Sequence, residues 1–170
     1  MAEFPQGITK EHGTVSNRHA SWWRLGILAL ILGIALSGLL GGAPAPTQRA
    51  ASAGASLAVT TSDRLRNGTF FETQISALAK RPIADPVIAV PAGLWRDLTV
   101  NTMVPSPAEE AFVDGEYRFH FGSLDAGERL EFKIDGQVNP ARWGGSGGRI
   151  RLLDGETEVV ALPVTLKVIP

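Results

Sequence analysis

The sequence predicts an all-β chain: an antiparallel β-sandwich of seven or eight strands, preceded by one transmembrane α-helix. Three observations carry this expectation. From Ser56 to Pro170 apolar and polar residues alternate in short runs. Asp-Gly pairs recur beside those runs, at Asp114-Gly115, Asp135-Gly136 and Asp154-Gly155. One run, WWRLGILALILGIALSGLL over residues 22–40, is apolar almost throughout and carries no charge after Arg24.

The alternation has the two-residue period of strands buried on one face. In EYRFHF, residues 116–121, Tyr117, Phe119 and Phe121 share a face predicted to point inward, while Glu116, Arg118 and His120 point out. RLEFKID, residues 129–135, repeats this with Leu130, Phe132 and Ile134 inside. Ile150 and Leu152 oppose Arg149 and Arg151, and Val164, Leu166 and Val168 alternate with Thr165 and Lys167. Residues 71–79, 86–90, 98–104 and 56–61 supply the remaining candidate strands. Asp-Gly suits the turns between them, because Gly accepts positive φ and Asp tolerates it. Ser106-Pro107-Ala108-Glu109 reads as a capping box with Pro at the first helical position, predicting one helical turn within the β-region.

The chain divides into four segments on this reading. Residues 1–21 are polar, broken by Pro5 and several glycine or asparagine residues, and are expected to form a disordered cytoplasmic tail. Residues 22–43 are the expected transmembrane helix; the 19 residues from Trp22 to Leu40 would reach roughly 28 Å, close to a bilayer's hydrocarbon thickness. Trp22, Trp23 and Arg24 are expected at the membrane interface, where indole rings partition favourably. Residues 44–56, rich in Ala, Gly, Pro and Ser, offer nothing large to bury and read as a linker. Residues 57–170 form the β-domain. Lys10, Arg18 and Arg24 precede the apolar run and only Arg49 follows closely, which predicts a cytoplasmic N-terminus and an extracytoplasmic C-terminal domain. Cleavage near Ala51-Ser52-Ala53 competes with this, but the apolar run exceeds the usual signal-peptide core, so an uncleaved signal-anchor is preferred.

Composition narrows the function. Sixteen Lys and Arg against 17 Asp and Glu leave a formal charge of −1, without the basic surplus of a nucleic-acid binder. Cysteine is absent, which removes disulfides, thiolate metal sites, a cysteine nucleophile and a lipidated cysteine anchor. His12, His19 and His120 are too scattered to form a metal cluster.

Two stretches carry a resemblance. FGSLDAGE, residues 121–128, followed by an alternating strand, resembles the corner of bacterial extracellular immunoglobulin-like domains. The longer stretch from LWRDLTVNTMVPSP through KIDGQVNP to LPVTLKVIP is similar to a group of uncharacterised single-pass bacterial membrane proteins, over most of residues 70–170. The resemblance implies a fold and a location and carries no activity.

Candidate chemistry is sparse. Gly144-Gly145-Ser146-Gly147-Gly148 fits the G-x-S-x-G pattern, but a nucleophile elbow needs a strand-to-helix turn followed by an acid and a histidine. No histidine follows Ser146, and RIRLL alternates like a strand, so the stretch reads as a mobile hairpin loop. Glu109, Glu110, Asp114 and Glu116 are acids that could hydrolyse glycosides or hold calcium, but Ala111-Phe112-Val113 interrupts the spacing of a calcium loop. They read as a solvated edge. Trp95, Trp143 and Tyr117 could form a sugar-stacking platform, with Tyr117 inward by alternation; Trp95 and Trp143 are the candidate ligand or partner contacts. Asn67-Gly68-Thr69 matches a glycosylation sequon of low specificity.

The sequence thus leads to a non-enzymatic, membrane-anchored interaction module in the cytoplasmic membrane. Its expected partners are the lipid bilayer and another membrane or envelope protein, to which it would be an accessory or scaffold subunit, with no cofactor, metal or nucleic acid. The alternative is a cell-surface glycan-binding module.

Overall fold

The computed structural model describes residues 21–40, 42–139, 141 and 143–169. The expected N-terminal tail lies, Ser21 apart, outside the described residues. The chain forms two units, 1–36 and 37–170.

Among its described residues the first unit holds one helix, α1 (Trp22–Leu36), whose start is set by the Ser21 carbonyl accepting the Arg24 and Leu25 N–H groups at 2.8 and 3.2 Å. The helix stops at Leu36, where Ser37 and Gly38 are poor helix formers and Ser37 Oγ accepts the Leu39 N–H at 3.3 Å. Residues 37–40 continue as turn. The apolar run is thereby divided, and the 15 helical residues reach only about 22 Å at 1.5 Å each, against a hydrocarbon core of about 30 Å. Among the described residues, no helix is long and apolar enough to cross a membrane. This corrects the expected transmembrane helix over 22–43, and the single-pass and signal-anchor readings fall with it. Trp22, Trp23 and Arg24 form the first turn of this helix, with the Arg24 guanidinium 5.3 Å over the Trp23 ring.

The second unit contains eleven strands among the described residues. In chain order they are β1 (Thr47–Ala51), β2 (Ala55–Thr61), β3 (Arg64–Arg66), β4 (Phe70–Ala79), β5 (Pro86–Pro91), β6 (Leu98–Val104), β7 (Glu109–Val113), β8 (Glu116–His120), β9 (Arg129–Val138), β10 (Gly144–Asp154) and β11 (Thr157–Ile169). They form a five-stranded sheet, β1-β2-β4-β9-β6, and a six-stranded sheet, β3-β11-β10-β5-β8-β7. Every pairing is antiparallel except β3 with β11. The expected all-β sandwich is therefore present, with more strands than the seven or eight anticipated.

Period-two patterning built the core as anticipated. Phe132, Ile134, Ile150 and Leu152 are fully enclosed, and Leu130, Val164, Leu166 and Val168 are buried with them. At roughly 1.5–3 kcal/mol for each large apolar side chain, this shared face supplies the driving force for the sandwich.

Three local expectations are corrected. Part of the expected linker over 44–56 is the edge strand β1, which pairs with β2 from Thr47↔Thr60 to Ala51↔Ser56; its backbone hydrogen bonds, rather than large side chains, hold it. Ser106–Glu109 forms no helical turn, and the chain bends there into β7. Gly144–Gly148 is no loop: it is the first half of β10, paired with β11 from Gly144↔Val168 to Gly148↔Val164. Gly148 passes so close to Pro91 that a Cβ there would lie 2.3 Å from the proline ring.

Candidate binding site

The hairpin β7–β8 places different chemistry on its two faces. Register pairs Phe112 with Tyr117, Glu110 with Phe119 and Ala111 with Arg118. Phe112, Tyr117 and Phe119 therefore share the inner face, while Glu116, Arg118 and His120 share the outer one.

On the inner face an aromatic series runs from surface to core. Phe112 lies 5.1 Å from Tyr117, Tyr117 lies 5.9 Å from Trp95, and Trp95 lies 5.9 Å from Phe119. Phe119 and Phe121 then meet Phe132 at 5.3 and 4.9 Å. Exposure falls along the series: Phe112 is 61% exposed, Tyr117 39% and Trp95 8%. Tyr117 is thus on its predicted face yet half uncovered, because β7 is the edge strand beside it and none of β7 is buried. The exposed rings are held from beneath, which fixes their orientation before any ligand arrives.

The two candidate contact tryptophans are not brought together on one exposed face. Trp95 is buried by the turn over residues 92–97, where the Leu94 N–H bonds to the Pro91 carbonyl at 2.9 Å and Ser146 Oγ donates to the Leu94 carbonyl at 3.1 Å. Trp143, at 77%, stands in solvent just ahead of β10. Phe112 was missed by sequence reasoning, which treated it as a gap between acids. Its position before a two-residue turn, next to an edge, was the available signal.

The outer face is a lattice of opposite charges. Arg118 Nη1 donates to both oxygens of Glu156 at 2.7 Å. Arg151 bonds Glu116 and lies 3.7 Å from Glu158, and Arg149 bonds Glu158 at 3.2 Å. The Glu116 carboxylate raises the Arg151 pKa above its ordinary value, against the opposing effect of burial. Beneath these side chains Val87, Ala89 and Leu153 are buried, covered by the stems of long charged residues. An open cleft of about 510 Å³ on this face is lined by Asp114, Glu116, Arg118, Arg149, Arg151 and Glu158.

The remaining sequence candidates separate in space. His120 Nδ1 lies 3.2 Å from Asp85 Oδ1 and aligns, through Val87, with Leu153 on β10. Ser146 lies seven residues further along β10, roughly 23 Å at 3.3 Å per residue, so Ser146 and His120 do not pair. Of the four acids, Glu116 is engaged by Arg151, while Glu109 pairs in register with His120 and Glu110 with Phe119. Asn67-Gly68-Thr69 is the turn joining β3 to β4. Inside the sandwich, a void of only about 10 Å³ is left beside the Thr61–Thr73 hydroxyl pair, room for a water at most.

No protein-family model and no curated protein match the chain. Among solved structures, a solution structure of the chitin-binding domain of a hyperthermophilic chitinase from Pyrococcus furiosus is similar, at 18% identity and a TM-score of 0.43, covering 66% of this chain and 98% of that one. A crystal structure of the chitin-binding domain of a chitinase from the same organism gives 17%, 0.42, 67% and 100%. At this level the likeness carries no argument about ligand or activity.

Proposed function

We propose that this protein is a non-enzymatic glycan-binding module. The observation that carries the reading is the pair Phe112–Tyr117: two exposed aromatic rings, 5.1 Å apart and tilted 56° to each other, anchored through Trp95 and Phe119 to the core. The C–H face of a pyranose ring is apolar and packs flat on such a ring, while the sugar hydroxyls stay in water. Rigid presentation limits the ordering cost that binding must offset. Trp143 is a further exposed ring. Ser146 donates to the Leu94 carbonyl and is distant from His120, so this reading gives it no nucleophilic role.

The test is depletion of the full chain from solution by insoluble chitin, cellulose and peptidoglycan, followed by titration with soluble oligomers of whichever binds. Saturable binding to at least one neutral polysaccharide is expected. Phe112→Ala and Tyr117→Ala should each weaken it about 2–10-fold, corresponding to roughly 0.5–1.5 kcal/mol per aromatic contact. Absence of binding to all three, or full binding by the double variant, overturns the reading.

A further inference from the structure

We propose that Arg118 anchors a second ligand site, on the opposite face of the β7–β8 hairpin, for the carboxylate of an acidic sugar, and that Glu156 occupies that position until the ligand displaces it. The sugar assignment rests on the glycan reading above; the carboxylate assignment rests on the geometry of Arg118 itself.

Arg118 and Glu156 are an unequal pair. The Arg118 side chain is 9% exposed and its Nε has no hydrogen-bond partner, whereas Glu156 is 82% exposed. A guanidinium this deeply buried requires a counter-charge. Glu156 requires nothing of Arg118, since an exposed carboxylate is well solvated and an exposed partner gains little from pairing. Glu156 also belongs to the two-residue turn joining β10 to β11, where Asp154 pairs with Thr157, so its side chain can swing out without moving a strand.

The neighbours leave this position to a ligand. Glu116 and Glu158 are held by Arg151, and Glu158 also by Arg149, so neither is available to take over Arg118. The cleft in front of Arg118 contains Arg118, Arg149 and Arg151 against Asp114, Glu116 and Glu158. With Glu156 withdrawn these charges balance, and one incoming carboxylate restores the resting charge. A phosphate would add a second negative charge. A carboxylate also matches the contact that Glu156 already makes, both of its oxygens accepting from Arg118 Nη1.

The experiment is calorimetric titration of the full chain, at low salt, with oligogalacturonate, its uncharged methyl ester and oligoglutamate. Glu156→Gln removes the internal competitor from an exposed turn and should tighten oligogalacturonate binding about 5–10-fold, because apparent affinity scales with the fraction of sites left open. The methyl ester should be unaffected. Adding Arg118→Lys to Glu156→Gln should abolish the gain, with thermal unfolding of each variant confirming that it is folded. Unchanged affinity for oligogalacturonate in Glu156→Gln, or equal tightening of the ester, overturns the site. Equal tightening of oligoglutamate overturns the sugar assignment. Binding of neutral glycans by Phe112→Ala is read separately, so failure of the aromatic platform and failure of this site are distinguishable.

Discussion

At Asp114-Gly115 both residues take positive φ, 52° and 80°, and the chain reverses from β7 into β8; at Asp135-Gly136 it runs straight on through β9. The local chemistry of the two sites is the same, so the difference comes from their surroundings. Asp114-Gly115 sits at the rim, beyond the last register pair, Val113↔Glu116. Asp135-Gly136 has strands on both sides: Glu72 and Phe71 of β4 on one, Thr102 and Val100 of β6 on the other. Two flanking ladders satisfy a backbone that a turn would leave unpaired. Asp135 then faces outward beside Lys133, and Gly136 leaves room where the Phe71 ring crosses the strand and the bulge of β6 presses close. One glycine serves a positive φ; the other serves close packing.

Substitution separates these two uses. Gly136→Ala would put a Cβ 2.6 Å from Phe71 Cζ and 2.7 Å from the Thr99 carbonyl oxygen. Because one of those atoms is backbone, relief requires moving β6, and a loss of about 3 kcal/mol is expected in denaturant unfolding. Gly115→Ala meets nothing within 4 Å but must hold φ near 80°, costing about 1 kcal/mol by the same measurement. Equal losses at the two positions would show that packing around Gly136 relaxes freely and that the comparison is misdrawn.

The smallest effect belongs to the outward side of β9. Lys133 Nζ lies 2.8 Å from Glu72, and this hydrogen bond, with the Glu72 and Asp135 charges, raises its pKa above 10.5. A raised folded-state pKa contributes stability that is complete below the unfolded value and is lost as pH rises through the folded one. The stability difference between the wild type and Lys133→Met should therefore be constant from pH 7 to 9 and shrink above 10.5. A difference that persists unchanged in strong alkali would assign the effect to the lysine stem rather than to its charge.

The same contrast between local pattern and surroundings governs the binding surfaces. Alternation placed Tyr117 and Phe119 on one face of β8, and they are on one face; it could not tell that Phe119 would be covered while Tyr117 stayed half open. Arg118 lies on the outer face as alternation requires, yet is buried, and its counter-charge Glu156 comes from a turn 38 residues away. The pairing of a buried arginine with an exposed glutamate has no counterpart in the spacing of residues along the chain.

What the sequence by itself determined is the set of one-face strands and the tight turn at Asp114-Gly115, because side-chain period and φ preference are properties of a few adjacent residues. Leu130, Phe132, Ile134, Val164, Leu166 and Val168 were legible in this way. Only the tertiary structure decided which positions a neighbouring element covers. It made an edge strand of Thr47–Ala51 and a paired strand of Gly144–Gly148. It turned Trp95 inward and left Trp143 outside. Coverage depends on elements that pack from far along the chain, and backbone pairing accepts small residues that carry no hydrophobic signal of their own.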